Sequence, residues 1–241
     1  MELSTKGIVL NAINYSETSV IVHVYTLDYG LRSFIAKGVR TAKKNKSLSM
    51  AMFQPLTQLE LLASTPKRSG LATLKSAKII HPYTSIPTNM IKSSICMFLA
   101  EILRSVLKEE EKNEVLYAFL EHAFIWLDTH QKTANFHLFV LIRLTKYLGF
   151  YPDTTNRKLQ FFDLQNGHFC VSADSTDCVG GEAISLLKSY LGMKFDEVQE
   201  ISVNAQQRRE LLLLLMRYYQ IHVQGFKAPK SLAVLYEVFK Q

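Results

Sequence analysis

Acidic residues are missing from one long stretch of this chain. No aspartate or glutamate lies between Asp28 and Glu60, whereas six lysines and arginines do. Residues 1–80 hold eleven bases against four acids, and residues 81–241 hold 17 of each. The whole formal net charge of +7 therefore lies in the first third of the chain. Such a one-sided basic field favours a polyanion as the binding partner.

Cysteine is scarce, and no two cysteines have the spacing of a metal-binding CxxC pair. The three are Cys96, Cys170 and Cys178, and this odd number argues against a secreted disulfide scaffold. The N-terminus also lacks the basic and apolar regions of a signal peptide, so we expect a cytoplasmic protein. Cys170 and Cys178 with His168 offer three ligands, where a structural zinc site usually has four. We therefore expect no metal.

Long apolar runs and catalytic motifs are also absent. The longest apolar run, residues 211–216, is too short to cross a bilayer, so no membrane partner is expected. There is no GxSxG, HExxH or GxxxxGK[ST] motif, and the seven histidines are scattered. We therefore predict a protein that is not an enzyme and has no cofactor, although residues distant in sequence can form a catalytic site in space.

The first 80 residues carry short β-branched runs separated by turn residues. Strands are predicted at residues 5–13, 19–26, 31–39, 58–64 and 70–80. Five short strands in about 80 residues favour a small closed barrel over an open sheet. Apolar residues recur at helical spacing after His81 and Pro82, and Pro229 is predicted to begin the last helix.

The predicted fold class is α+β. An N-terminal five-stranded OB-fold barrel, residues 1–81, is followed by an all-helical C-terminal domain, residues 82–241. A small hairpin region is inserted at about 153–180, where Asn166 and Gly167 separate two strand-like runs.

The basic part of the barrel is the candidate nucleic-acid-binding site. Its predicted phosphate contacts are Arg32, Lys37, Arg40, Lys43, Lys44, Lys46, Lys67 and Arg68. Tyr29 and Phe34 are the predicted base-stacking rings, among interleaved aromatics that also include Tyr15, Tyr25 and Phe53. Alternation alone does not say which rings face the core, and the alternative for the loop 40–46 is a solvated surface without a ligand.

A second candidate site lies on a predicted helix. Arg143 and Lys146 share that helix with Phe139, Leu144 and Leu148. A basic pair beside an apolar groove suits the end of an acidic, hydrophobic peptide. The alternative is a core helix with ordinary solvated bases.

The stretch "GIVLNAINYSETSVIVHVYTLDYGLRSFIAKGVRTAKK" and the later "FQPLTQLEL" resemble the opening of a known family, the RecO recombination mediators of bacteria. "LTKYLGFYPD" resembles the helix end before the family's zinc region, and "YYQIHVQGFKAPKSLAVL" resembles its C-terminal helices. The order and spacing of these motifs cover nearly the whole chain.

The resemblance implies an OB-fold barrel and a helical domain, binding of single- and double-stranded DNA, and annealing of complementary strands. It implies RecR, the acidic tail of the single-strand-binding protein and, indirectly, RecA as partners. Many relatives carry a four-cysteine zinc module, where this chain keeps only Cys170 and Cys178. We therefore expect no zinc, with the hairpin held by packing of Phe161, Phe162 and Phe169.

Together these features predict a non-enzymatic DNA-binding mediator of recombinational repair that assists RecA loading. Two alternatives stay open: an RNA-binding OB-fold protein and a basic protein–protein adapter. A nuclease would need a carboxylate cluster for metal, and the first 80 residues have only four acids.

Overall fold

The computed structural model describes residues 2–40, 47–65, 70–107, 111–173 and 175–239. The chain forms two compact units. The first comprises Met1–Thr129 with Pro229–Ser231, and the second comprises His130–Ala228 with Leu232–Gln241. The predicted boundary at residues 81 and 82 marks the change from strands to helices within the first unit, and as a domain boundary it stays a prediction.

Five strands form the predicted closed barrel. They are β1 (Glu2–Asn14), β2 (Val20–Thr26), β3 (Gly30–Ala36), β4 (Gln58–Ser64) and β5 (Ala72–Ile79). Their order around the barrel is β1-β2-β3-β5-β4, with β3 and β5 parallel and the other pairs antiparallel. This confirms the expected OB-type architecture.

β1 closes the barrel because it pairs with two strands. Its first half pairs with β4 and its second half with β2, and a bulge between Val9 and Asn11 bends it. Gly7 lies where both partners approach, and an added Cβ would come within 2.4 Å of Val24 Cγ1. Glycine is therefore required at this position for close packing.

Alternate residues of the strands fill the barrel interior. Val20, Val22 and Val24 of β2 meet Leu59 and Leu61 of β4, and none is more than 1% exposed. Full burial of such a side chain is worth about 1.5–3 kcal/mol. The 3-10 turn Met50–Phe53 adds the buried ring of Phe53 to the same core.

Helices α1 (Met90–Val106) and α2 (Glu114–Thr129) belong to the same unit as the barrel. Asp128 near the end of α2 fixes the turn before α1, because its carboxylate accepts hydrogen bonds from the backbone N–H groups of Thr84, Ser85 and Ile86 at 2.8–3.0 Å. The buried Nζ of Lys92 donates to the Asp128 carbonyl oxygen at 2.8 Å and to Ser85 Oγ at 2.6 Å. These bonds satisfy polar groups that would be costly to bury unpaired.

The described residues of the second unit form four helices and a small sheet. The helices are α3 (Phe136–Tyr147), α4 (Glu182–Tyr190), α5 (Ala205–His222) and α6 (Leu232–Val238), with a 3-10 turn at Phe195–Gln199. The sheet has the order β7-β6-β8 and consists of β6 (Phe161–Asp163), β7 (His168–Cys170) and β8 (Cys178–Val179). The predicted hairpin is confirmed, and Gly167 in its turn has φ 68°.

Pro229 does not begin the last helix, so that prediction is wrong. The helix begins at Leu232, three residues later. The backbone N–H groups of Lys230 and Ser231 donate to Glu101 Oε2 of α1 at 2.7 and 3.4 Å. The carboxylate thus ties Lys230 and Ser231 to α1, and residues 229–231 belong to the first unit and not to the final helix.

No helix in the described residues is both long and apolar enough to cross a membrane.

Candidate nucleic-acid interface

The outer face of the barrel carries a row of isoleucines across three strands. Ile13 of β1 pairs with Ile21 of β2, and Ile21 pairs with Ile35 of β3. Because Val22 and Val24 alternate into the core, these neighbours point away from it. Ile13 is 44% exposed, and Ile21 and Ile35 are half-buried.

Tyr15 and Lys37 continue this outer face beyond the strand ends. The N–H of Tyr15 donates to the Ser19 carbonyl at 3.0 Å, so the β1–β2 ladder extends past Asn14. Tyr15 follows Ile13 by two positions, and Lys37 follows Ile35 by two positions, which places both on the outward side. The Tyr15 side chain is 60% exposed, and Lys37 is exposed.

Arg40 ties the segment after β3 to the β1–β2 loop. Its Nη1 donates to the Ser16 carbonyl at 2.9 Å, and its backbone N–H donates to the Thr18 carbonyl at 3.3 Å. Arg40 as a whole is exposed to solvent. Within the described residues, neither Arg40 nor Lys37 forms an ion pair with a carboxylate.

Other bases of the barrel are closer to acids. Lys75 Nζ lies 2.5 Å from Glu2 Oε1. Glu60 pairs across the strands with Lys6 on one side and Lys78 on the other. At the end of the barrel that carries the β1–β2 loop and residues 37–40, Lys37 and Arg40 therefore have no ion pair among the described residues, although Glu17 lies in that loop.

The prediction that Phe34 stacks on bases is wrong. Phe34 pairs with Val22 and is 1% exposed, inside the barrel core. The other candidate ring, Tyr29, is half-buried in the turn after β2, and its backbone N–H donates to Thr26 Oγ1 at 3.1 Å. That turn and Arg40 lie at opposite ends of β2, which spans about 20 Å.

Arg32 is half-buried and shares its side of β3 with Phe34, because it pairs with Val24 of β2. Its role as a phosphate contact stays a prediction. Five further predicted contacts lie outside the described residues: Lys43, Lys44, Lys46, Lys67 and Arg68. The structure thus brings together Lys37 and Arg40 but not Tyr29.

The predicted peptide-binding pair lies on α3. Arg143 is half-buried, and its Nε is buried without a hydrogen-bond partner among the described residues. Lys146, one turn later, is exposed. No peptide is present to test this pair, and its role stays a prediction.

A cavity of about 120 Å³ in the second unit was not expected from the sequence. Its lining includes Arg208 and Arg209 of α5 and Tyr236 of α6. The Arg208 guanidinium lies 4.7 Å from the centre of the Phe239 ring, and Arg209 lies 5.1 Å from that of Tyr236. Two arginines over aromatic rings form a cationic, partly apolar pocket.

His137 lies at the same cavity with its ring stacked on Phe239 at 5.2 Å. Burial, with a smaller contribution from the Arg208 charge, lowers the pKa of His137 to about 3. The imidazole is therefore neutral at physiological pH. Arg208 keeps its place through hydrogen bonds from Nε to Asn135 Oδ1 at 3.0 Å and from Nη2 to the Val203 carbonyl at 3.1 Å.

Two protein-family models match this chain. The model described as Recombination protein O N terminal matches residues 1–83, and Recombination protein O C terminal matches residues 87–233. The chain belongs to the RecO family. The resemblance found in the sequence is confirmed, and the first model covers the five-stranded barrel.

Individual RecO relatives match over nearly their full length. The DNA repair protein RecO of Christiangramia forsetii is 43% identical over 99% of this chain and 100% of the relative. The protein of the same name from Flavobacterium johnsoniae is 41% identical over the same shares. That of Bacteroides fragilis is 36% identical over 98% of each chain.

That this chain binds no zinc stays a prediction, which rests on the presence of only two cysteines, Cys170 and Cys178, in the hairpin region. Cys170 and Cys178 bring their sulfurs to 2.6 Å of each other. No group of three or more His, Cys, Asp or Glu side chains placed to hold a metal occurs in the ranges that the structure describes. Phe162 and Phe169 pack at 4.9 Å between ring centres in the same hairpin.

Proposed function

We propose that this chain is a non-enzymatic DNA-binding mediator of recombinational repair. It binds single- and double-stranded DNA, promotes annealing of complementary strands and assists RecA loading. The observation that carries the proposal is the pair of exposed cations, Lys37 and Arg40, without ion-pair partners among the described residues at one end of an OB-type barrel. Membership of the RecO family supports the same role.

The mechanism is electrostatic. Phosphates that bind lysine or arginine release counterions, and this release makes binding independent of sequence and sensitive to salt. Two DNA strands repel each other through their phosphates, so a protein that neutralises both backbones lowers the barrier to pairing. No nucleotide is consumed in this scheme.

Arg40 is suited to phosphate binding because one of its donors already holds the loop. Nη1 is bonded to the Ser16 carbonyl, and this bond limits the rotamers of the side chain. The guanidinium is planar with five N–H donors, so further donors remain for phosphate oxygens. An arginine held in this way loses less entropy on binding than a free one.

The second unit is the proposed docking site for the acidic tail of the single-strand-binding protein. Arg143 and Lys146 are the pair proposed from the sequence. The cavity with Arg208 and Arg209 supplies a further cationic surface beside aromatic rings in the same unit. Charge complementarity favours an acidic peptide at either place. RecR is proposed as a further partner through the family alone.

Annealing of complementary oligonucleotides labelled with a fluorophore and a quencher tests the function. We expect the wild-type protein to accelerate annealing without ATP, and the double variant Lys37→Glu/Arg40→Glu to lose most of that acceleration. Lys75→Glu is the matched control, because Lys75 is already paired with Glu2. A preference for RNA over DNA of the same sequence would favour an RNA-binding protein, and wild type that binds neither would favour the adapter.

A further inference from the structure

An exposed tyrosine and the isoleucine row share one face of the barrel. Tyr15 is 60% exposed and Ile13 44%, whereas most apolar side chains of the barrel are buried. The Tyr15 ring has no aromatic or cation–π contact within the described part of the chain. A ring held on an ordered strand extension and left open to solvent is available for stacking.

Cations border this apolar strip on one side. Lys37 lies at the end of β3, next to Ile35, and Arg40 is bonded to the loop that begins with Tyr15. The one carboxylate in that loop, Glu17, is exposed and has no ion pair in the described ranges. An apolar surface flanked by cations is complementary to a nucleic-acid strand, because the bases and the phosphates of a strand lie on different sides.

We propose that Tyr15 and the isoleucine row form a base-binding strip that makes this barrel selective for single-stranded over double-stranded DNA. The Tyr15 ring stacks on a base while Lys37 and Arg40 bind the neighbouring phosphates. Duplex DNA keeps its bases stacked inside the helix, so it gains from the two cations but not from the strip. This inference rests on the proposed DNA binding and adds to it the origin of single-strand preference.

The two parts of the site differ in their response to salt. Stacking displaces few counterions, so removing the Tyr15 ring changes affinity and leaves the salt slope unchanged. Removing the Arg40 charge lowers the magnitude of the slope by about 0.7 for a single strand. Loss of a stacking residue therefore changes only the affinity, whereas loss of a phosphate contact also changes the salt slope.

Three probes of equal length test the proposal: an oligo-dT, the corresponding abasic deoxyribose-phosphate chain and a duplex. Dissociation constants are measured by fluorescence anisotropy for wild type, Tyr15→Ala and Tyr15→Phe. We expect Tyr15→Ala to weaken oligo-dT binding roughly 5- to 150-fold, the range expected for one stacked base. Tyr15→Phe, which keeps the ring, should retain most of the affinity. Wild type and Tyr15→Ala should bind the abasic chain and the duplex equally.

Met90→Ala provides a matched control, because Met90 of α1 is also largely exposed in the same unit, at 57%. It should leave all three affinities unchanged. Equal binding of oligo-dT by wild type and Tyr15→Ala would refute the proposed base-binding strip. An equal loss on all three probes would also overturn it, because that pattern indicates a distorted loop. Wild type that binds none of the probes would instead refute the proposed DNA-binding function itself.

Discussion

Arg40 Nη1 donates a 2.9 Å hydrogen bond to the carbonyl oxygen of Ser16, 24 residues earlier in the chain. The bond joins the β1–β2 loop to the segment after β3 and fixes a cation at the residue that follows Tyr15 in the chain. A carbonyl oxygen keeps this guanidinium in place without neutralising its charge. The full positive charge therefore remains available to a phosphate.

The identity of the residue at position 40 should matter beyond its charge. Lysine has no planar fork, so Arg40→Lys keeps the charge but cannot both bond Ser16 and bind a phosphate bidentately. We expect Arg40→Lys to keep the salt slope of wild type and to bind oligo-dT more weakly, by about 1 kcal/mol. Arg40→Ala should lower both the affinity and the slope. Fluorescence anisotropy at several salt concentrations measures both quantities.

Equal affinities for wild type and Arg40→Lys would mean that the bond to Ser16 has no part in binding. Lys75→Ala serves as the control for a base already paired with an acid, and it should change the affinity little.

Phe34 should contribute to stability and not directly to DNA contact. Its ring is 1% exposed in the barrel core. We expect Phe34→Ala to lower the free energy of unfolding by about 3–5 kcal/mol through lost burial and a residual cavity. Urea unfolding followed by circular dichroism measures this loss. Leu71→Ala, at an exposed position, is the control and should change stability by less than about 0.5 kcal/mol.

The local features of the barrel could be predicted from its sequence, but the direction of individual side chains could not. Alternating Val20, Val22 and Val24 identify a strand from local spacing alone. Whether Phe34 faces inward depends on its pairing with Val22, which is set by tertiary closure of the barrel. Nothing in the local pattern distinguishes its direction from that of an outward ring.

Distances between candidate residues also depend on the folded strands. Tyr29 and Arg40 are only 11 positions apart in sequence, yet β3 carries the chain between them from one end of the barrel to the other. The His137 and Arg208 pair depends on packing between helices that are remote in sequence. Pro229 carries an ordinary helix-start signal, which the Glu101 carboxylate overrides from α1.

Because His137 is buried in its neutral form, we expect the free energy of unfolding to fall in mild acid. The folded pKa is lowered to about 3 by burial, whereas the unfolded pKa is about 6.5. Between these values the unfolded state binds a proton that the folded state does not, so stability falls as the pH falls below about 6.5. The contribution lost at pH 5 is about 2 kcal/mol.

The His137→Phe variant keeps a ring against Phe239 and cannot be protonated. Its unfolding midpoint in urea should vary less between pH 7 and pH 5 than that of wild type. Identical pH dependence in both proteins would show that His137 does not titrate as a buried neutral imidazole.

We predict that the hairpin of β6 and β7 folds without zinc. Phe162 and Phe169 pack there, and the nearby thiols are only two. Elemental analysis of protein purified without chelators should find no stoichiometric zinc, and the double variant Cys170→Ser/Cys178→Ser should bind oligo-dT like wild type. One zinc per chain, lost in that variant, would contradict this prediction.

The salt dependence of oligonucleotide binding tests most directly whether Lys37 and Arg40 on the barrel bind DNA phosphates. About six phosphate contacts to a single strand give a slope of roughly −4 in a plot of log affinity against log salt. The double variant Lys37→Ala/Arg40→Ala should reduce the magnitude of that slope by about 1.4, since each single-strand contact contributes about 0.7. A wild-type affinity that does not change with salt, or a double variant with the wild-type slope, would contradict the account.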